Sequence, residues 1–146
     1  MTRVFKPFLT LLVASLSLSG CASYWENVIA EQDAQAGRVA ALQAEIAKTT
    51  PSCAGEVDCR AKWEAAQLWV QKNAGYKIQT VTTVVIETYN PVEGGTGMAF
   101  SVTKEPLGEN RYRIFARASC YYATSCVETA PGAVLEFNRA VAATHP

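Results

Sequence analysis

Between Tyr76 and Cys120 the chain carries three strand-patterned segments joined by only two short, turn-rich connections. Tyr76–Tyr89 is rich in Thr, Val and Ile, side chains that suit a pleated, half-buried surface. Its alternation is imperfect. Ile78, Thr80, Thr82, Val84 and Ile86 share one parity, while Val81 and Val85 take the other. A strand covered on both faces, or one carrying a bulge, gives such a pattern. Met98, Phe100 and Val102 alternate cleanly with Ala99, Ser101 and Thr103. From Arg111 to Cys120, the residues Tyr112, Ile114, Ala116, Ala118 and Cys120 face one way, and Arg111, Arg113, Phe115 and Arg117 face the other. The stretch 90–97 and the group Pro106, Gly108 and Asn110 supply the turns. Consecutive strands with short links pair most simply as an antiparallel meander.

Helical patterns flank this block. Residues 23–48 read as a helix, with Ser23 and Glu26 in capping-box spacing. Val28, Gln32, Gln35, Val39, Leu42 and Ile46 fall at alternating steps of four and three. That is a heptad seam with two glutamines in it, edged by many alanines. Either a partner or the helix's own domain covers such a seam, and Gly37 weakens it. Pro51 lacks a backbone donor and ends this helix. A second helix runs to Asn73, with Cys59, Trp63, Ala66, Val70 and Asn73 along one stripe and Gly75 as its stop. Trp63 and Trp69 read as packing residues. Pro131-Gly132 opens a last helix, with Val134, Phe137, Asn138 and Val141 on its inner face. The expected order is ααβββα: an α+β, two-layer domain with helices on one face of a three-stranded antiparallel meander.

The search for catalytic chemistry is mostly negative. The one histidine is His145, beside the C-terminal Pro146. Chain ends fray, which argues against His-based nucleophilic triads and most zinc sites. Gly94, Gly95 and Gly97 lack a following Lys-Ser/Thr and precede a strand, so they read as a turn. Glu56 and Asp58 near the second helix's start suit the positive end of its dipole. No acid pair is singled out for glycosidase chemistry. No cofactor or metal is expected, and the chain is expected not to be an enzyme.

The surface feature that stands out is Arg111, Arg113, Phe115 and Arg117 on one strand face. If the helices cover the Tyr112/Ile114 face, this row is exposed. Arginine around an aromatic side chain suits an acidic partner, a lipid headgroup or a cell-wall carboxylate. The same row also fits a solvated sheet face whose arginines pair with acids on neighbouring strands, such as Glu87.

The N-terminus sets the address. Arg3 and Lys6 form a short positive region, and an apolar run from Phe8 to Leu18 follows. The run is too short to span a bilayer, which takes roughly 20 apolar residues, and it fits an export signal. Leu18-Ser19-Gly20-Cys21 closes it and resembles a bacterial lipobox. The resemblance implies removal of residues 1–20, lipidation of Cys21 and a single periplasmic domain over 21–146. One acyl chain binds only marginally, whereas the three of a mature lipoprotein anchor permanently. Ala22, where inner-membrane retention takes Asp in enterobacteria, implies the periplasmic face of the outer membrane. Tyr24 and Trp25 then lie close to the bilayer, where they either sit at the headgroups or pack on the domain.

Without Arg3 and Lys6 the chain keeps eleven basic residues against thirteen acidic ones. A mildly acidic balance argues against nucleic acid as a partner. Of five cysteines, removing Cys21 leaves Cys53, Cys59, Cys120 and Cys126, an even set suited to an oxidising compartment. Three pairings are open, and the equal short spacings favour Cys53–Cys59 and Cys120–Cys126.

The stretch from Cys59 through Trp63, Val70, Asn73 and Gly75 to Ile78, with Ile86-Glu-Thr-Tyr-Asn and Val102-Thr-Lys-Glu-Pro106, resembles a group of small proteobacterial lipoproteins of unknown function. That group supplies no catalytic residues. The helix-helix-three-strand order is also similar to that of the small lipoprotein of the outer-membrane barrel-assembly machine, in topology alone. These features imply a lipid-anchored protein with a non-enzymatic binding or structural role, touching the membrane through its lipid and an envelope protein or the cell wall through its surface. A periplasmic inhibitor or immunity lipoprotein is the alternative, with a cell-wall enzyme carrying an unrecognised carboxylate site as a third.

Overall fold

A computed structural model describes residues 19–145. Residues 1–18 of the expected export signal, with Arg3, Lys6 and the run 8–18, lie outside the described residues, as does the Cys21 side chain. The elements, in order, are α1 (Ser19–Thr49), β1 (Ser52–Ala54), α2 (Gly55–Asn73), β2 (Ile78–Val81), β3 (Val85–Thr88), β4 (Ala99–Gly108), β5 (Arg111–Ser119), a 3-10 turn (Ala123–Cys126) and α3 (Thr129–Ala142). The α+β class is as expected. The strand count and the order ααβββα are not.

Five strands form one sheet, in the order β1-β5-β4-β3-β2, every neighbouring pair antiparallel. Four of them, β2 to β5, are the consecutive meander, one strand longer than predicted. The stretch read as a single strand over 76–89 is a hairpin. Thr82 makes its turn. Its Oγ1 accepts from the Val84 and Val85 N–H groups at 3.2 and 2.9 Å, and its own N–H donates to the Val85 carbonyl at 2.8 Å. A threonine turn with no Gly, Asn or Asp carries none of the usual hairpin punctuation. The parity change read from Val81 and Val85 arises partly here and partly at a register shift between Ile78 and Thr80. The fifth strand is β1, only three residues long, which lies beside β5 with Cys53 opposite Tyr112. Three residues are too few for an alternation to register.

The β4–β5 hairpin follows its pattern more closely. Glu109 and Asn110 both take positive φ, 54° and 56°, between Gly108 and Arg111. This is the two-residue geometry that matches strand twist. Strand β4 runs on past Pro106 to Gly108, with a register shift between them.

Helices α2 and α3 pack together and against the sheet. Their inner residues Trp63, Ala66, Val70, Val134, Phe137 and Val141 join Ile86, Phe100, Val102, Ile114 and Ala116 in one core. The stripe expected along α2 is buried at Cys59, Trp63, Ala66 and Val70, whereas Asn73 is exposed. All four inner residues expected of α3 are buried, although the helix begins two residues before Pro131. A proline in the first turn costs little, since its missing N–H has no intrahelical partner there.

Asn138 is the polar member of that inner face. Its Nδ2 donates to the Ile46 carbonyl and to Thr49 Oγ1, both at 3.3 Å. These groups belong to the last turn of α1, whose carbonyls have no intrahelical donor. Thr49 and Thr50 Oγ1 donate to the Glu45 and Ile46 carbonyls, at 2.8 and 2.7 Å. At the other end of α2, the Gly75 N–H donates to the Met98 carbonyl at 2.9 Å. A Cβ on Gly75 would stand 2.5 Å from the Gly97 Cα, so two backbones meet here without room for a side chain.

The chain divides into two units between Arg38 and Val39. In the second, Ile46 packs on the core and Val39 and Leu42 are half-buried. In the first, α1 carries exposed side chains, including Tyr24, Trp25 and Ile29, and the Tyr24 and Trp25 rings meet edge to face with centroids 5.8 Å apart. The helix is already formed at Ser19, so Ser23 is an interior residue rather than the predicted cap. Serine at a capping-box spacing marks a start only where the preceding residues cannot be helical, and Cys21 and Ala22 can. Among the described residues no helix is long and apolar enough to cross a membrane.

Candidate functional site

The side of the sheet away from α2 and α3 carries the predicted row. Register sets out three lines across it. Arg113 lies between Ser52 on β1 and Glu105 on β4. Phe115 lies opposite Thr103, which in turn lies opposite Val85 on β3. Arg117 lies opposite Ser101, which lies opposite Glu87. Arg111 stands at the hairpin end, opposite Ala54. All four predicted residues therefore share one face, as the period of two requires.

Their chemistry is not uniform. Phe115 is half-buried between two guanidinium groups, with the Arg113 and Arg117 Cζ atoms 5.6 and 5.3 Å from its ring centre. A guanidinium at that range is attracted by the ring's negative face. Arg113 also pairs with Glu105, its Nε and Nη2 both donating to Oε2, the former at 3.0 Å. Thr103 Oγ1 donates to the other oxygen, Oε1, at 3.2 Å. Arg111 makes a longer, exposed contact with Glu109, at 3.7 Å. Arg117 has no carboxylate within 4 Å among the described residues. Acid pairing on the face is thus real for Arg113, but it runs to Glu105 and not to Glu87. The parity of Ser101, Thr103 and Glu105 places Glu105 on this face from sequence. Only the register places it opposite Arg113.

Two depressions mark this surface. One of about 200 Å³ lies over Phe115, Ser101, Thr103, Glu105 and Arg117. A second, of about 490 Å³, runs along the Arg117 line toward Glu87, with Gln79, Asn90 and Ser119 at its sides. Both are open and polar. Among the described residues no three His, Cys, Asp or Glu side chains gather as a metal-binding group.

The four cysteines expected to be oxidised are bonded as Cys53–Cys59 and Cys120–Cys126, with Cα separations of 4.9 and 6.1 Å. The first ties β1, at the edge of the Arg113 line, to α2. A carboxylate strengthens the same junction. Asp58 Oδ2 accepts the Ala54 N–H at 2.9 Å, and Lys62 Nζ reaches Asp58 Oδ1 at 3.1 Å and the Ser52 carbonyl at 2.8 Å.

Two carboxyls are held below the ordinary carboxylate range. For Asp58 the main cause is the Ala54 N–H, with partial burial opposing and Lys62 assisting. For Glu105 it is the Arg113 hydrogen bond, again against partial burial, with help from the Arg113 charge, Thr103 and Arg117. A carboxyl with a depressed native pKa stabilises the fold above its unfolded pKa, and that contribution is lost as pH falls through the native value. Thermal unfolding followed from neutral pH downward should therefore show Asp58→Asn and Glu105→Gln less stable than wild type near neutrality. The gap should close in the acid range. A gap that stays constant to low pH would mean these carboxyls are not linked to folding.

The chain matches no family model, no curated protein and no solved structure.

Proposed function

We propose that this is a lipid-anchored envelope protein that binds, without catalysis, an acidic segment of another envelope protein on its open sheet face. The observation that carries the reading is Phe115 held between two guanidinium groups on the side of the sheet away from α2 and α3, with Arg117 free of any carboxylate within 4 Å among the described residues. Aromatic and arginine side chains are the groups that most often concentrate binding energy at protein interfaces. An incoming carboxylate meets Arg117, and an apolar neighbour on the partner covers Phe115. The anchor rests on the lipobox-like Leu18-Ser19-Gly20-Cys21, with the exposed Tyr24 and Trp25 three and four residues further on. In this reading those rings sit at the headgroup level.

The test is a cross-linking pull-down from intact envelopes with wild type, a Phe115→Ser/Arg117→Ser variant and Cys21→Ala. Wild type should be membrane-bound, and Cys21→Ala should appear in the soluble fraction. A protein recovered with wild type should fall by about tenfold or more with the sheet-face variant, the loss expected when an aromatic anchor and a charge-assisted bond are both removed. Equal recovery with the variant would remove the sheet face from the reading. Membrane retention of Cys21→Ala would remove the anchor.

A further inference from the structure

On the core side of the sheet, the inward-facing row of β4 runs Phe100, Val102 and then Lys104, opposite Ile114. A lysine in that row is unexpected, because the two residues before it are fully buried in the core. Its position explains how it is tolerated. Lys104 lies at the row's open end, half-buried, with Nζ 5.7 Å from the Trp63 ring centre and 5.2 Å from that of Tyr112. Two aromatic faces take the place of a counter-ion. The Trp63 indole is itself fixed, its Nε1 donating to the Thr82 carbonyl at 3.0 Å.

This arrangement opens on a cleft of about 450 Å³ between the first turns of α2 and the β4–β5 hairpin. Arg60, Glu56, Asn110 and Thr83 complete its polar lining, and the Cys53–Cys59 bridge borders it through Cys59. The volume falls within the range of small-ligand sites. Neither Lys104 nor Arg60 has a carboxylate within 4 Å among the described residues. Arg113, Arg139 and Lys62, by contrast, are each matched, with Glu105, Glu45 and Asp58. An ammonium partly withdrawn from water and lacking a counter-ion gains more from an anion than an exposed one does.

We infer that this cleft is a second binding site, independent of the open sheet face, for an oxyanion carried on a polar body of sugar size. Lys104 and Arg60 take the anion. Asn110, Thr83 and the Tyr112 hydroxyl are the neutral polar groups available to the body of the ligand. Glu56 is the resident carboxylate, and it opposes the anion by like charge. The oxyanion is a carboxylate or a phosphate ester, and two probes separate these sources.

The experiment uses the full chain, labelled with ¹⁵N, in detergent micelles. The Trp63 indole N–H resonance is followed during titration with glucuronate, glucose 6-phosphate, glucose and inorganic phosphate. One or both sugar anions should move it saturably, and whichever binds more tightly identifies the oxyanion. Glucose should leave it in place. Lys104→Met and Arg60→Gln should each weaken binding by about tenfold, the loss of one charge-assisted hydrogen bond. Glu56→Gln should tighten it. Arg60 is exposed, so its replacement leaves the fold unaltered even if Lys104→Met loosens the aromatic pair. The proposal is overturned if neither sugar anion shifts the resonance saturably, or if Arg60→Gln and Lys104→Met both bind like wild type. Inorganic phosphate binding as tightly as the sugar anions would overturn the assignment of a sugar-sized ligand.

Discussion

Phe137→Ala is expected to lower the free energy of unfolding by about 3–5 kcal/mol. Phe137 is fully buried on α3 and meets Trp69 of α2 edge to face, with centroids 5.4 Å apart. Trp69 in turn meets Phe100 of β4 at 5.3 Å, again nearly edge-on. The three rings join both helices and the sheet in one chain of contacts. Truncation at Phe137 therefore removes the ring's transfer energy and leaves a cavity lined by side chains fixed from three directions. Collapse into such a cavity is hindered, which places the cost toward the upper part of the range. A domain of this size commonly has about 5–15 kcal/mol in total, so the variant should be marginal or partly unfolded at room temperature. Urea denaturation of wild type and variant measures the difference. Leu68→Ala, at an exposed position on α2, is the control and should stay within about 0.5 kcal/mol of wild type. A Phe137→Ala cost no larger than the control's would mean that the helices are not seated on the sheet through this residue.

The same core explains which parts of the fold were legible. Strands β4 and β5 each have one face in the core and one outside it, so Phe100 and Val102 alternate with Ser101 and Thr103, and Ile114 and Ala116 with Arg113 and Phe115. One-sided burial writes itself into sequence as period two. The inner face of α3 was legible for the matching reason at a period of 3.6. Strand β1 was not, because three residues held by pairing to β5 and a bridge to α2 need no pattern of their own. The β2–β3 hairpin was hidden by its turn. Thr82 reverses the chain with its own hydroxyl, and threonine is also a common strand residue. On the open face, parity alone put Arg111, Arg113, Phe115 and Arg117 together. It gave no information on which acid faces which arginine, since a shift of register by two keeps every side chain on its face and changes its partner. The cleft was less legible still. Lys104 reads from sequence as an ordinary polar residue near a strand end, and its two aromatic neighbours lie 41 positions before it and 8 after it.

Removing the Cys53–Cys59 bridge is expected to cost more than removing Cys120–Cys126, although the two close loops of equal length. Each pair is separated by six positions, so the loop-entropy model assigns each about 2 kcal/mol. That contribution acts on the unfolded chain and cancels in the comparison. The remainder is a difference between the folded states. Cys53 and Cys59 are both almost fully buried, and their bridge holds the edge strand β1 against the first turns of α2. Cys126 is buried too, but its partner Cys120 is half-buried and leads from β5 into exposed turn residues. Paired alanine replacements should thus cost about 2 kcal/mol at 120/126 and more at 53/59, where a close-packed junction is also lost. Paired serine replacements should widen the gap, since each hydroxyl placed at a buried position without a partner costs about 1–3 kcal/mol. Urea denaturation of the four double variants gives the comparison. A reductant should lower the midpoint of wild type and leave the 53/59 variant sensitive only through its remaining bridge. Equal costs at the two sites, with serine no worse than alanine, would mean that the buried bridge acts on the unfolded chain alone. β1 would then be held by its ladder to β5 and by the Asp58–Ala54 hydrogen bond without help from the sulfur atoms.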